Sequence, residues 1–295
     1  MALSNLSRRW TVAIVGVPIV LVLLYSGNWV LGVPLSALAV LGAQEVYRLA
    51  AHTGTHPFQF TGAAGAAALV LAATWQQTFI AFAPWALMAV GTVMLISLIL
   101  AIVSRGTTGG PLGAVSVTIF GSLYCGFSLS FIPLTLAFPA VEGWGGITAK
   151  PWLGVAVIAL PLATTWISDA VAFFAGTKWG RQKLSPSISP KKTWVGSWSG
   201  LAASIIVGIV WYFLTAPYLV GMPIDSFWVA ALVGAVLGVG AQVGDLVISV
   251  FKREAGVKDT GTIFPGHGGI LDRIDSLAFT VPASYVAITL LTKIQ

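Results

Sequence analysis

Apolar residues run along this chain in long unbroken blocks, and the polar positions collect in the short stretches between them. Nine blocks stand out, at roughly 10–26, 28–47, 58–74, 80–103, 112–138, 152–176, 196–215, 227–250 and 277–292. A helix needs about 17 to 25 predominantly apolar residues to cross the hydrocarbon core of a bilayer. The second and third blocks are the weakest, being short or rich in Gly. Small residues recur at helical spacing, as in Gly62-x-x-Gly65 and Gly234-x-x-x-Gly238, where they let neighbouring helices approach closely. The pattern predicts an all-α, polytopic integral membrane protein with about nine transmembrane helices. It forms a single membrane domain over 1–295, with no separate soluble domain, low-complexity tail or internal repeat.

Composition and charge agree with that reading. The chain has 295 residues, of which 57% are apolar and only 8% charged, against about 25% charged in an average soluble domain. Lys and Arg stay on the cytoplasmic side of short loops. With the N-terminus inside, the inner face collects Arg8, Arg9, Arg48, Arg105, Lys178, Arg181, Lys183, Lys191, Lys192, Lys252, Arg253, Lys258 and Arg273, and the outer face only Lys150 and Lys293. An odd number of spans then puts the C-terminus outside. The net charge of +6 describes a basic cytoplasmic face suited to anionic headgroups or nucleotides. No aromatic interleaving supports a nucleic-acid partner. Cys125, the one cysteine, lies in an apolar block, so disulfides and thiolate metal sites are excluded. Arg8 and Arg9 read as positive-inside anchoring rather than as an export signal, since no small-residue cleavage site is apparent.

The first half of the chain, 1–140, is mainly structural spans. Its one exception is Glu45, a carboxylate near the inner end of the second block, where a local pair with Arg48 three residues on is expected. From residue 160 polar groups enter the spans, and 160–280 reads as the catalytic region. Asp169 lies about two helical turns inside the end of the sixth block, and such a carboxylate should face a polar cavity. The loop 178–196 breaks helix at Ser185-Pro186 and Ser189-Pro190, then sets Lys191, Lys192 and Thr193 at the mouth of the seventh block. Ser189, the lysines and a helix start make a phosphate cradle; a merely positive-inside loop is the equal alternative. Asp245 follows in the eighth block, in Gly240-Ala-Gln-Val-Gly244-Asp245.

The densest chemistry lies at 249–275, S-V-F-K-R-E-A-G-V-K-D-T-G-T-I-F-P-G-H-G-G-I-L-D-R-I-D, which holds eight of the chain's 24 Asp, Glu, Lys and Arg residues. Lys252, Arg253 and Lys258 with Asp259 come first, then a Gly/Pro turn around His267, then Asp272, Arg273 and Asp275. Carboxylates attract a divalent cation, basic side chains attract phosphate, and glycines such as Gly268 and Gly269 let backbone N–H groups approach a ligand. Together they point to a metal–phosphate site. Asp272 and Asp275, three apart, share a helix face, although acidic residues in a first turn also serve the helix dipole. His267 has the chemistry of a proton carrier, a phosphate donor or, least suited to a hard cation, a metal ligand.

At these residues the chain resembles the phosphatidate cytidylyltransferases, or CDP-diacylglycerol synthases. Ser249, Lys252, Arg253, Lys258, Asp259, Gly261, Phe264, Pro265, His267, Gly268, Gly269, Asp272, Arg273 and Asp275 fill that family's pattern at its spacing. Asp169-x-x-Ala-Phe-Phe-x-Gly176 and Ser189-Pro-Lys-Lys-Thr-Trp194 extend the resemblance to roughly 165–280. Val195 departs from it, standing where similar proteins carry an acidic residue. The resemblance implies a dimeric helical enzyme of a bacterial inner membrane with a cytoplasm-facing site. Its reaction would be CTP + phosphatidate → CDP-diacylglycerol + pyrophosphate. It further implies Mg²⁺, with a second cation such as K⁺, between Asp245 and Asp272. Lys252, Arg253, Lys258 and Arg273 would then meet phosphates and Lys191 and Lys192 close over the substrate, with Asp259 and Asp275 supporting the metal. Two rival readings are a CTP-using lipid kinase, which would release CDP, and an ion-coupled transporter. The second is disfavoured because the acidic groups cluster beside a basic loop and no paired half-sequence repeat is present.

Overall fold

The computed structural model describes residues 16–144, 150–261 and 268–294. It is almost wholly helical: α1 (Gly16–Ser26), α2 (Asn28–His52), α3 (Gln59–Gln76), α4 (Phe79–Ser104), α5 (Pro111–Gly121), a π-helical turn (Ser122–Phe127), α6 (Ser128–Val141), α7 (Pro151–Trp179), α8 (Trp194–Thr215), α9 (Phe227–Glu254), α10 (Leu271–Ile274) and α11 (Leu277–Ile294). Among the described residues the one sheet is a hairpin of β1 (Lys183–Ser185) and β2 (Ser189–Thr193), pairing Lys183 with Thr193 and Ser185 with Ser189. Among the described residues, seven helical stretches are long and apolar enough to cross a membrane. The fold class is therefore the expected one, an all-α polytopic membrane protein. The count differs because the first block is described only from Gly16. The third block forms α3, an 18-residue helix rich in Gly and Ala that is not among the seven.

The chain divides into two compact units, residues 1–134 with 251–274, and residues 135–250 with 275–295. In the first, α2, α3, α5 and the π-helical turn pack around Tyr47, which is fully buried and donates its hydroxyl proton to the Thr118 carbonyl at 2.9 Å. The Gly-rich face of α3 has a steric reason. A Cβ on Gly126 would lie 2.6 Å from the Ala66 Cα, and one on Gly62 would strike the Tyr47 ring. Ser122 closes the contact by donating to the Gly62 carbonyl at 2.6 Å. α4 leaves Ile80, Leu87, Ile102 and Val103 exposed, as a helix facing lipid does.

In the second unit α7 pairs with α8 through small residues. A Cβ on Gly200 would meet Ala172 and the Ser168 carbonyl, both at 3.1 Å. Thr165 and Thr280 share a hydrogen bond of 3.0 Å between α7 and α11, and the Trp211 indole donates to the Ala156 carbonyl at 2.6 Å. Ser276 Oγ donates to the Ala241 carbonyl on α9 at 3.1 Å. Such buried side-chain bonds satisfy polar groups that hydrocarbon could not.

Candidate functional site

Each unit carries a lysine–carboxylate pair. In the second unit Lys192 reaches back from β2 to Asp245 on α9, with Nζ 2.7 Å from Oδ2 and both side chains partly exposed, at 25% and 33%. Ser249 Oγ stands one turn further along α9, 3.5 Å from Asp245 Oδ1. The hairpin that presents Lys192 ends at Thr193. Its hydroxyl caps α8 by accepting from the Gly196 N–H at 3.1 Å. A Cβ on Gly176 would sit 2.8 Å from that hydroxyl oxygen, so Gly176 is required where α7 passes the cap. Lys191 is exposed, Ser189 half-buried and Asp169 exposed on α7. Val195 is exposed in the first turn of α8.

In the first unit the pair is more deeply set. Lys252, at the end of α9, lies 2.6 Å from Asp272 Oδ1, and the side chains are 13% and 7% exposed. Asp272 Oδ2 accepts from the Thr260 N–H at 2.9 Å and the Gly269 N–H at 3.0 Å, and lies 3.0 Å from the Thr260 Oγ. Three donors thus fix one carboxylate, an arrangement that favours its ionised form. Gly268 has φ +80°, and a Cβ there would lie 2.5 Å from Asp272 Oδ2. Arg253, Lys258, Asp259 and Arg273 are exposed. His267, with Phe264 and Pro265, lies outside the described residues.

Two sequence expectations meet a different geometry. Asp272 and Asp275 do not lie on one uninterrupted helix, because α10 is a single turn and a break at Asp275–Ser276 precedes α11. Glu45 forms no pair with Arg48. It is wholly buried and accepts from the Thr260 hydroxyl at 2.7 Å, the Ile270 N–H at 3.1 Å and the Leu271 N–H at 2.9 Å. Arg48 is exposed, its Nε donating to the Gln44 carbonyl at 3.4 Å. Glu45 and Thr260 were missed as partners of the motif. The signal available was a carboxylate inside an apolar span, but nothing local identifies a partner 215 residues away.

The donors suit a hard divalent cation. No group of three or more His, Cys, Asp and Glu gathers among the described residues, but Mg²⁺ is commonly held by one or two carboxylates with waters and substrate phosphates completing its shell. Asp245 and Asp272 each offer an oxygen already opposite a positive charge.

Comparison with known proteins gives this geometry its context. The sequence profile of the cytidylyltransferase family matches residues 7–291. A Synechocystis protein named phosphatidate cytidylyltransferase is 33% identical over 307 aligned positions, covering 98% of each chain. The chloroplastic phosphatidate cytidylyltransferase 4 of Arabidopsis thaliana is 33% identical over 96% of this chain and 73% of its own. A Staphylococcus haemolyticus phosphatidate cytidylyltransferase is 44% identical over 44% of this chain and 47% of its own.

Proposed function

Because the chain belongs to the cytidylyltransferase family, matched over residues 7–291, we propose that it catalyses CTP + phosphatidate → CDP-diacylglycerol + pyrophosphate within a membrane. One observation carries the reading. The motif that relates the chain to its relatives is also where buried charge is gathered, with Asp272 held by two N–H donors on one oxygen and Lys252 on the other.

The chemistry asks little of a protein base. The nucleophile is a phosphate monoester whose second pKa is about 6, so much of it is already a dianion at neutral pH. One of its oxygens forms a bond to the α-phosphorus of CTP, and the bond from that phosphorus to the bridging oxygen breaks as pyrophosphate leaves. The obstacle is anion meeting anion, so the work is neutralisation and alignment. Lys192 and Lys252 hold positive charge at their carboxylates. Lys191, Arg253, Lys258 and Arg273 are exposed and carry the charge that meets phosphates. Ser189, Thr193 and Gly268, with Asp169, are assigned to substrate binding and His267 to donation to phosphate, whereas Gly269, whose N–H is given to Asp272, supports that carboxylate. Asp245 and Asp272 are the ligands for Mg²⁺, supported by Asp259 and Asp275, with K⁺ the choice for any second cation. When bound, Mg²⁺ neutralises phosphate charge and polarises the reacting phosphoryl group. The excess of basic residues on one set of loops and the bacterial relatives support an inner-membrane protein with this chemistry and the N-terminus on the cytoplasmic side and the C-terminus outside, and the homodimer rests on the family resemblance alone.

Purified protein incubated with labelled CTP, phosphatidate and Mg²⁺ tests the reading. It should form CDP-lipid and pyrophosphate in equal amounts, and a chelator should stop both. Asp245→Asn and Asp272→Asn should each lower the rate by about 10²-fold or more. Release of CDP with a newly phosphorylated lipid would overturn the assignment in favour of a kinase.

A further inference from the structure

Among the described residues, Glu45 is a carboxylate with no basic partner. It sits on α2 with none of its surface exposed, and neither the Lys192–Asp245 nor the Lys252–Asp272 pair includes it. A buried charge of this kind is tolerated only where hydrogen-bond donors are held rigidly around it. Its three donors come from both sides of the Gly/Pro excursion: the Thr260 hydroxyl before it, and the Ile270 and Leu271 N–H groups after it. The Thr260 and Gly269 N–H groups in turn donate to Asp272. Thr260 Oγ therefore touches both carboxylates, at 2.7 Å from Glu45 and 3.0 Å from Asp272.

The glycines of the excursion are shaped around the same two groups. A Cβ on Gly261 would lie 3.0 Å from the Glu45 carboxyl carbon and still closer to its oxygen. One on Gly269 would strike Glu45 and Thr260, and one on Gly268 would approach Asp272. Three motif glycines thus make room for the protein's own carboxylates.

We propose that Glu45 is a positioning residue for the reaction: from α2 it ties residues 260, 270 and 271 together and so sets the Asp272 carboxylate with Oδ1 toward Lys252. The proposal rests on the reading of Asp272 as a cation ligand. A Gln at 45 keeps the size but replaces one acceptor oxygen with an N–H₂ group. That group would oppose at least one of the donors around it, and the residue next to Leu271 is Asp272 itself. Misplacement of a reacting group by about 1 Å is enough to cost about 10²-fold in rate.

The test compares wild type, Glu45→Gln, Thr260→Val and Asp272→Asn in detergent, using CTP, phosphatidate and Mg²⁺. Three quantities are read: kcat and KM, the Mg²⁺ concentration for half-maximal rate, and the shift in melting temperature produced by Mg²⁺ alone. Glu45→Gln should lower kcat by about 10- to 10²-fold, raise the half-maximal Mg²⁺ concentration and shrink the Mg²⁺-induced melting shift, with KM for phosphatidate nearly unchanged. A merely structural role would lower the melting temperature and leave kcat and the Mg²⁺ response of the folded fraction at wild-type values, which overturns the proposal. Should Glu45→Gln fail to fold, Thr260→Val decides, since it deletes only the bridging hydroxyl; wild-type kcat and Mg²⁺ response in it would overturn the proposal equally. A wild-type Mg²⁺ response in Asp272→Asn would sink the ligand reading, whereas an impaired Asp272→Asn beside an unimpaired Glu45→Gln sinks the positioning role alone.

Discussion

Lys252 and Lys192 perform the same electrostatic task in different surroundings, and the difference predicts how much each matters. The Lys252–Asp272 side chains are 13% and 7% exposed, whereas those of Lys192–Asp245 are 25% and 33% exposed. Breaking a buried pair by removing one partner leaves an uncompensated charge and costs about 3 to 5 kcal/mol, while exposed pairs contribute about 0 to 1 kcal/mol. Asp272 keeps two N–H donors, which places its pair toward the lower end of that range. Lys252→Met should therefore lower the melting temperature in detergent clearly more than Lys192→Met. Equal shifts for the two would show that the burial difference does not govern the pairs. The acidic and basic character of these four positions was legible in the sequence. Which lysine meets which carboxylate was not, because neither pair is local: the partners of the buried one are 20 residues apart, across the Gly/Pro excursion.

Among the elements, hydropathy located the long helices well, since block length and lipid exposure impose the same constraint. It could not locate the π-helical turn at Ser122–Phe127, which lies inside one apolar run, nor the break that separates α10 from α11. The hairpin at 183–193 appeared in the sequence only as a helix-breaking loop, because two short strands give too little alternation to detect. The excursion between α9 and α10 shows a different gap between sequence and structure. Its glycines read as places for backbone to approach phosphate, whereas the structure uses Gly268 and Gly269 to accommodate Asp272 and Glu45, and the Gly269 N–H is already given to Asp272. This separates two kinds of glycine in one segment. Gly256 has φ +69° with nothing near its Cβ direction, so Gly256→Ala should lower stability by about 1 kcal/mol and leave the rate of the folded protein intact. Gly269→Ala must displace the Glu45 carboxylate or Thr260, and should abolish activity and lower the melting temperature further. Activity in Gly269→Ala comparable with Gly256→Ala would refute the steric account.

At the scale of the molecule, the blocks and the charge pattern identify a membrane protein, but not the composition of its two units. Each unit joins distant parts of the chain, and contacts such as Glu45 with Thr260 leave no local trace in the sequence. Orientation is a separate matter that the charge pattern does address. Thirteen of the fifteen Lys and Arg residues fall on the expected inner loops, and juxtamembrane basic residues favour the cytoplasmic surface by about 1 kcal/mol each. Contacts within each unit fit this grouping. In the first unit, Arg105 donates to the His56 carbonyl at 2.7 Å and lies 5.5 Å from the Phe58 ring centroid, bringing together the α2–α3 and α4–α5 connections. Glu45 ties the same end of α2 to residues 260 and 270. In the second unit Lys192 joins the loop after α7 to the α9 segment carrying Asp245. The loops at 178–196 and 251–275 should therefore both face the cytoplasm. Ser187 and Glu254 are exposed, and the native Cys125 is fully buried, so single cysteines at those two positions in a Cys125→Ser background report on the loops alone. Both should resist an impermeant thiol reagent in intact cells and react in inverted vesicles. Labelling of either from outside would reverse the orientation and remove the cytoplasmic supply of CTP that the proposed reaction requires.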